Sequence, residues 1–143
     1  MKILFVCKAN VFRSQVAEAL LRKTGNYEVK SAGTLVSEKG MDGRKVMEWT
    51  APSIKALIKA AKDAELDIEE NSTNQVTQEM VGWADKIIIM AQKELVPREL
   101  LNNKKSVWWD VQDGTDYSDY EFFASSIKEI KVKILKLIDE LRN

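Results

Sequence analysis

Short continuous apolar runs along the chain predict the strands of a sheet. Residues 3–6 and 85–91 are rich in branched apolar side chains, which is typical of strands covered on both faces in a parallel sheet. Residues 27–31 and 106–111 are two further strand candidates. The pattern therefore predicts a central four-stranded parallel sheet.

Apolar residues at helical spacing lie between these runs and predict two helices. One stripe covers residues 13–24, where Gly25 follows as a stop signal. The other covers residues 53–64, where Pro52 stands at the entrance. Strands and helices thus alternate along the first half of the chain.

Two other segments have a less regular pattern. Residues 92–101 are helix-like, although Pro97 interrupts them. Residues 35–50 are polar, contain Gly40 and Gly43, and show no strong period. We therefore expect a broken helix in the first segment and a surface loop in the second.

The end of the chain predicts one long helix. Ser118 and Glu121 have the spacing of a capping box at its start. An apolar stripe then runs through Phe123, Ile127, Ile130, Ile134, Leu137 and Leu141. Together these elements predict a single α/β domain over residues 1–143, with three α/β/α layers around the parallel sheet and right-handed crossovers.

Composition limits the possible partners. The chain has 22 basic and 22 acidic residues and no His, so its net charge is zero and it has no broad field to attract nucleic acid or anionic lipid. We expect neither a nucleic acid nor a membrane as a partner. One Cys excludes an internal disulfide, and without His the usual ligand sets for soft metals are absent, so no metal or cofactor is expected.

The first residues also bear on location. Only five apolar residues lie between Lys2 and Lys8, which is too few for the hydrophobic region of a signal peptide and far too few to span a bilayer. We therefore expect a cytoplasmic protein.

The only cysteine, Cys7, follows the first predicted strand and precedes Arg13 by six positions, in the segment CKANVFRS. Ligands of open parallel sheets bind beyond the carboxyl ends of the strands, where a helix N-terminus offers free N–H groups. The turn can therefore wrap a tetrahedral oxyanion, to which the planar Arg13 side chain can donate two parallel hydrogen bonds. The predicted phosphate-binding residues are Lys8, Ala9, Asn10, Val11, Phe12, Arg13 and Ser14.

The same environment favours the thiolate form of Cys7. Helix N-termini and nearby cations stabilise a thiolate, and the Ser14 hydroxyl can donate a hydrogen bond to the sulfur. The alternative is a small buried apolar residue at a strand end, since free Cys is among the most buried residue types. The strand-loop-helix context and the position of Arg13 favour a nucleophile.

This loop resembles the phosphate loop of the low-molecular-weight protein tyrosine phosphatases, which reads roughly Cys-x-Gly-Asn-x-Cys-Arg-Ser-Pro. Further matches occur in order at 31–34 (SAGT), 66–68 (LDI), 84–90 (ADKIIIM) and 111–113 (VQD), so the resemblance covers nearly the whole chain. It implies an N-terminal phosphate-binding loop and hydrolysis of phosphomonoesters without a cofactor. The implied substrate is a phosphorylated protein, above all on tyrosine, or a small aryl phosphate.

The resemblance also implies roles for three catalytic residues. Cys7 would attack phosphorus and form a phosphocysteine, Arg13 would hold the phosphate, and Asp113 would act as general acid and base. Asp113 is chosen because it completes the Val-x-Asp match; Asp110 is the second choice. Without that match, each Asp of this segment is simply a solvated turn residue.

Other residues would support the loop or line its entrance. In the resembling family, Asn10 joins a polar network with the Ser of the Ser-Ala-Gly segment and a downstream His; here these places hold Ser31 and Asn71. Ser14 belongs to the same support. Trp49 and Tyr117 lie on polar loops and are the candidates for the substrate rim.

The remaining aromatic and apolar positions are weaker signals. For Trp108 and Trp109 we expect core packing. Val11 is apolar, as in tyrosine-directed members of the resembling family, whereas the phosphoarginine-directed branch has Thr at this place. The loop therefore favours an aryl phosphate.

Four departures from the family pattern are evident, three of them at the phosphate loop. Ala9 stands where the family has Gly, Phe12 where it has a second Cys, Gln15 where it has Pro, and Gly114 where Pro usually follows the catalytic Asp. Ala9 would be strained if the backbone there required a positive φ.

Two other functions are compatible with the loop. A noncatalytic module could retain the cradle as a receptor for phosphate or phosphotyrosine. A thiol-redox enzyme is the second alternative, because arsenate reductases resemble this fold and loop. Such enzymes need further cysteines, and residues 8–143 contain none, although glutathione could resolve an intermediate in principle.

Overall fold

A computed structural model of the chain describes residues 1–142. Its centre is a parallel four-stranded sheet in the order β2-β1-β3-β4. The strands are β1 (Lys2–Cys7), β2 (Glu28–Gly33), β3 (Lys86–Ile89) and β4 (Ser106–Trp108). The predicted four-stranded parallel sheet is confirmed.

Helices cover both faces of this sheet. They are α1 (Arg13–Arg22), α2 (Ile54–Asp63), α3 (Gln78–Trp83), α4 (Arg98–Leu101) and α5 (Tyr120–Arg142). Two short 3₁₀ turns lie at Val46–Glu48 and Lys93–Leu95. The predicted three-layer α/β fold is therefore correct.

Strand β1 lies in the middle of the sheet and is buried on both faces, which accounts for its unbroken apolar run. On one face Ile3 and Phe5 pack with α1, α2 and α5. On the other face Leu4 and Val6 pack with β3 and with α4. Cys7, the last residue of β1, therefore emerges at the centre of the carboxyl edge.

The third and fourth strands are shorter than the sequence predicts. Strand β3 ends at Ile89 and β4 at Trp108, whereas the apolar patterns continue to residues 91 and 111. Beyond these ends the backbone carbonyls accept hydrogen bonds from side chains. Arg13 donates to Met90 O, and the Trp108 indole donates to Ala91 O at 2.9 Å. Met90 and Trp109 still donate to the neighbouring strands, at Val6 O and Ile89 O, while the carbonyls beyond the strand ends serve the site.

The capping box predicted for the last helix is wrong. The Ser118 hydroxyl accepts a hydrogen bond from Thr115 N–H at 2.8 Å, and Asp119 caps α5 by accepting from Phe122 N–H at 3.0 Å. Asp is an equally good cap residue, so the pattern alone cannot choose between the two. The apolar stripe of α5 is buried as predicted, except that Leu141 is half-buried.

Two other parts of the chain differ from the predictions. Helix α3 was not predicted, because six residues are too few to show a helical period. The segment 35–50 is more than a surface loop, since Val36, Met41 and Val46 are buried. These three residues are spaced by five positions, which matches neither a helix nor a strand, so the sequence pattern does not predict their burial.

Candidate active site

The loop between β1 and α1 begins at the buried thiol of Cys7, which is 2% exposed. The Cys7 Sγ lies 2.9 Å from the Ser14 Oγ and accepts a hydrogen bond from Asn10 N–H at 3.3 Å. Sheet pairing brings β2 along one side of β1 and β3 along the other. The loop therefore sits at the carboxyl edge, where parallel sheets bind their ligands.

Strand β2 fixes the first part of this loop. Thr34 N–H donates to Cys7 O at 3.0 Å, and Leu35 N–H donates to Lys8 O at 2.9 Å. These two carbonyls, which would repel an anion, are thus held by β2 and the residues that follow it. Gly33 makes the approach possible, because a Cβ there would come within 2.6 Å of Lys8 O and 2.9 Å of Asn10 N.

The left-handed residue of the loop is Asn10, with a φ of 56°. Ala9 does not have a positive φ, so the strain considered for an alanine at that place is absent. Asn tolerates the left-handed region better than other residues with a Cβ. The replacement of Gly by Ala is therefore compatible with the loop.

A chain of hydrogen bonds determines which way the Ser14 proton points. The Ser31 hydroxyl donates to Glu18 Oε1 at 2.5 Å, so its oxygen is free to accept. Asn10 Nδ2 donates both to Ser31 Oγ at 3.0 Å and to Ser14 Oγ at 2.7 Å. The hydroxyl proton of Ser14 is thus available for Cys7 Sγ, as a thiolate nucleophile requires.

Asn71 reaches this network only through a second amide. Asn71 Nδ2 donates to Gln15 Oε1 at 3.2 Å, and Gln15 Nε2 donates to Asn10 O at 3.1 Å. Asn74 N–H donates to Asn10 Oδ1 at 2.9 Å. The structure thus brings Asn10, Ser14 and Ser31 together as the sequence predicts, but it places Gln15 between Asn10 and Asn71.

Three supporting residues were missed by the sequence analysis: Gln15, Glu18 and Asn74. A signal for Glu18 exists, because it lies four positions after Ser14 on α1 and so shares a face with it. In the sequence Gln15 stands out only as a departure from the family Pro, and its burial is seen in the structure alone. Asn74 comes from a distant segment, and nothing local points to it.

Arg13 is 4% exposed, and its guanidinium is anchored on one side. Nη1 donates to Met90 O at 2.5 Å and to Val111 O at 3.1 Å, so both N–H groups of that nitrogen are engaged. The opposite edge, Nε and Nη2, is the one that can grip two oxygens of a phosphate. The carbonyls orient the fork before any substrate binds.

Four Asp residues lie between positions 110 and 119, and Asp113 is the one whose carboxylate faces the Arg13 guanidinium. Its Oδ1 is 3.4 Å from Arg13 Nη2, and its Oδ2 is 3.5 Å from Lys8 Nζ. Asp110 faces a neighbouring cleft instead, and Asp119 caps α5. Asp116 lines the same cavity as Cys7, and its carbonyl accepts from Ser53 N–H at 2.9 Å, which ties this loop to α2.

The cavity above Cys7 has a volume of about 90 Å³. A phosphoryl group, which is only a few times the size of a water molecule, fits in this space. Its walls are largely apolar and aromatic: Val11, Phe12, Trp49, Leu57 and Phe123. The remainder of a substrate would have to lie between these walls and solvent.

Only one of the two predicted rim residues lines this cavity. Trp49 does so, whereas Tyr117 is 83% exposed and does not. Trp109 packs on Phe5 in the core as expected. The expectation for Trp108 is wrong, because it is 36% exposed and carries Lys93 over its ring at 4.5 Å.

Two of the four departures from the family pattern, Phe12 and Gly114, are linked by packing. Phe12 and Phe123 meet edge to face with ring centroids 4.9 Å apart, and Phe122 packs on Phe123 at 5.5 Å. A Cβ on Gly114 would lie 3.1 Å from Phe122 and 3.5 Å from Phe123. Gly114 therefore leaves room for the aromatic cluster that Phe12 completes.

Two other kinds of site are absent from residues 1–142. No three His, Cys, Asp or Glu side chains in this range lie together in a way that could hold a metal ion. None of the helices in the same range combines the length and the apolar character that a bilayer crossing requires.

Comparisons with known proteins agree with this geometry. The model of a family described as low molecular weight phosphotyrosine protein phosphatase matches residues 2–143. No curated protein sequence matches the chain.

The chain also shares its fold with several solved structures. Wzb of Vibrio vulnificus, in complex with benzylphosphonate, is 23% identical and has a TM-score of 0.77 over 97% of both chains. A low molecular weight protein tyrosine phosphatase of T. tengcongensis is 23% identical, with a TM-score of 0.74 over 98% of this chain and 99% of that one. The YwlE arginine phosphatase of Geobacillus stearothermophilus is 22% identical, with a TM-score of 0.75 over 99% and 92%.

Proposed function

Because this chain belongs to the low molecular weight phosphotyrosine protein phosphatase family, whose members are cysteine-dependent phosphatases, we propose that it hydrolyses phosphotyrosine in proteins. One observation carries the proposal: the sulfur of Cys7 faces the donors Ser14 and Asn10, at the floor of a cavity that Arg13 and Asp113 also line.

In the first step the Cys7 thiolate attacks phosphorus, and the S–P bond forms as the P–O bond to the tyrosine oxygen breaks. Asp113 gives its proton to that oxygen, so the product leaves as a neutral phenol. Charge on the equatorial oxygens is stabilised by the N–H groups of the loop and by the Nε and Nη2 edge of Arg13.

In the second step a water molecule attacks the phosphocysteine. The Asp113 carboxylate takes the proton of the water, the new P–O bond forms, and the S–P bond breaks. The Ser14 hydroxyl stabilises the departing thiolate, and inorganic phosphate leaves. The cycle is balanced without a metal ion or a cofactor.

The walls of the cavity support an aryl phosphate over phosphoarginine. Phe12, Trp49 and Phe123 offer flat apolar surfaces, which suit a phenyl ring. Val11 offers no hydrogen-bond acceptor to a guanidinium, so the carboxylates of Asp113 and Asp116 would be left to bind it. A location in the reducing cytoplasm would keep the single nucleophilic thiol reduced.

The test compares peptides of one sequence that carry phosphotyrosine, phosphoserine or phosphoarginine, with release of inorganic phosphate as the readout. We expect kcat/KM for phosphotyrosine to exceed that for phosphoarginine by about tenfold or more. Cys7→Ser should abolish release from all three. Faster release from phosphoarginine would contradict the substrate assignment.

Two observations would contradict the chemistry itself. Binding of the phosphotyrosine peptide without turnover would support a noncatalytic receptor. Turnover without a phosphoryl group on Cys7 in acid-quenched enzyme, as seen by peptide mass spectrometry, would exclude the covalent route. An arsenate reductase is not supported, since no second cysteine is available to continue the redox chemistry.

A further inference from the structure

Gln92 lies just beyond the carboxyl end of β3 and connects two groups of the active site. Its Oε1 accepts a hydrogen bond from Arg13 Nη2 at 3.4 Å, and its Nε2 donates to Asp113 Oδ2 at 3.2 Å. Arg13 and Asp113 lie 79 and 21 positions away in the sequence. The side-chain amide thus bridges the phosphate clamp and the general acid.

The orientation of this amide follows from its partners. A guanidinium has only donors, so the oxygen of Gln92 must face Arg13. The nitrogen then faces Asp113, whose carboxylate can accept. Both contacts are long, as is common before a substrate tightens a site.

We propose that Gln92 is a positioning residue that determines which oxygen of Asp113 carries the proton for the leaving group. This proposal rests on the proposed function. Gln92 Nε2 donates to Oδ2, and Lys8 Nζ faces the same oxygen at 3.5 Å. A proton on Oδ2 would meet these two donors, so the proton resides on Oδ1.

The Oδ1 atom becomes available when a phosphoryl group enters the cradle. In the substrate-free site it lies 3.4 Å from Arg13 Nη2. The phosphoryl oxygens then accept the hydrogen bonds of that nitrogen in place of Asp113, because they are the stronger acceptors. Gln92 keeps its hold on Oδ2 meanwhile, and the protonated Oδ1 faces the leaving oxygen.

Gln92 acts through Arg13 and Asp113 and does not line the cavity above Cys7. It lines a neighbouring cleft with Trp108 and Gln112. Its loss should therefore weaken proton delivery and leave the apolar walls that recognise the substrate unchanged.

The experiment measures kcat/KM with phenyl phosphate, whose leaving group needs a proton, and with p-nitrophenyl phosphate, whose leaving group does not. Gln92→Leu keeps the approximate size of the side chain and removes both hydrogen bonds. We expect kcat/KM for phenyl phosphate to fall about tenfold or more, and that for p-nitrophenyl phosphate to stay within about threefold.

The matched control is Gln112→Leu. Gln112 lines the same cleft and has no side-chain hydrogen bond within residues 1–142, so both esters should react as with the unmodified protein. Equal losses for the two esters in Gln92→Leu, or the same selective loss in Gln112→Leu, would overturn the role of Gln92.

Gln92→Glu serves as a second variant if Gln92→Leu fails to fold. It keeps an acceptor for Arg13 but removes the donor to Asp113, so the selective loss for phenyl phosphate should persist. Inhibition by inorganic phosphate should weaken less than in Gln92→Leu. If the unmodified protein hydrolyses neither ester, the proposed function itself fails, which is distinct from failure of the Gln92 role alone.

Discussion

The backbone of Lys8 passes so close to Gly33 that no side chain fits between them: a Cβ on Gly33 would lie 2.6 Å from Lys8 O. The glycine that ends β2 and the phosphate loop after β1 therefore depend on each other. In this chain the contact gives a physical reason for the glycine in the segment Ser31-Ala32-Gly33.

Gly33→Ala should displace the phosphate loop. We expect a loss of about 1–3 kcal/mol in the free energy of unfolding, because the new methyl group would meet two backbone atoms, Lys8 O and Asn10 N, that cannot rotate away, and also the Val36 side chain. Activity on p-nitrophenyl phosphate should fall more than stability alone accounts for. Urea unfolding and kcat/KM on the same protein samples check both effects.

Gly82 in α3 provides the matched control. No atom lies within 4 Å of a Cβ at Gly82, and the residue is helical. Gly82→Ala should therefore raise stability by about 0.5–1 kcal/mol and leave activity unchanged. Unaltered kinetics in Gly33→Ala would show that the loop adjusts without cost.

Ser14→Ala removes the hydroxyl that faces the Cys7 sulfur. Hydrogen bonds to charged groups contribute about 1.5–3 kcal/mol, which corresponds to a decrease of about 10- to 150-fold in kcat. Because the sulfur is the leaving group in the second step, the phosphocysteine should accumulate and give a burst of product. Ser125→Ala on the exposed face of α5 is the control, and a Ser14→Ala enzyme without a slower second step would contradict the assigned role.

Asp113→Asn tests the choice among the carboxylates. General acids typically contribute 10²–10⁴-fold, so kcat/KM for phenyl phosphate should fall about 100-fold or more. The loss with p-nitrophenyl phosphate should be much smaller. Asp110→Asn, in the neighbouring cleft, should leave both rates unchanged; a larger effect there would transfer the acid role to Asp110.

A surface pair predicts a pH-dependent difference in stability. The Tyr120 hydroxyl donates to Asp63 Oδ2 at 2.7 Å. This hydrogen bond, with help from Lys59, holds the pKa of Asp63 below its ordinary value of 3.8. The Asp63 carboxylate in turn raises the pKa of Tyr120 above 10.0.

The sign follows from linkage. The stability that follows from the lowered pKa of Asp63 is present above its pKa in the unfolded chain and is lost as the pH falls below about 3.8. The stability that follows from the raised pKa of Tyr120 is lost as the pH rises beyond about 10. Tyr120→Phe should lower Tm by no more than about 3 °C at neutral pH, and this difference should shrink at acid pH. Tyr117→Phe, on an exposed residue, should change Tm at neither pH. A constant difference from pH 7 to pH 2.5 would exclude the hydrogen bond as the cause.

Much of the fold follows from local sequence, because its sheet is made of apolar runs that need no partner to be recognised. Residues 3–6 are apolar on both sides of the strand, and only a buried parallel strand suits that pattern. Cys7 and Arg13 are likewise found from one loop of eight residues. The apolar strand before Cys7 and the helix that begins at Arg13 indicate a binding loop between them.

The residues that sequence reasoning missed act across long separations. Gln92 meets Arg13 from 79 positions away, and Asn74 meets Asn10 from 64. Neither belongs to a periodic pattern, since one amide among solvated residues looks like any other. Such contacts arise only when the carboxyl edges of β1, β2 and β3 come together.

The carbonyls of Met90 and Val111 have a consequence for how the protein holds its substrate. They immobilise Arg13 when the chain folds, so little rotamer freedom remains to be lost when an anion arrives. Affinity for inorganic phosphate should thus decrease when the backbone around Met90 and Val111 opens locally. Amide hydrogen exchange at those positions would report on substrate affinity even in the absence of substrate.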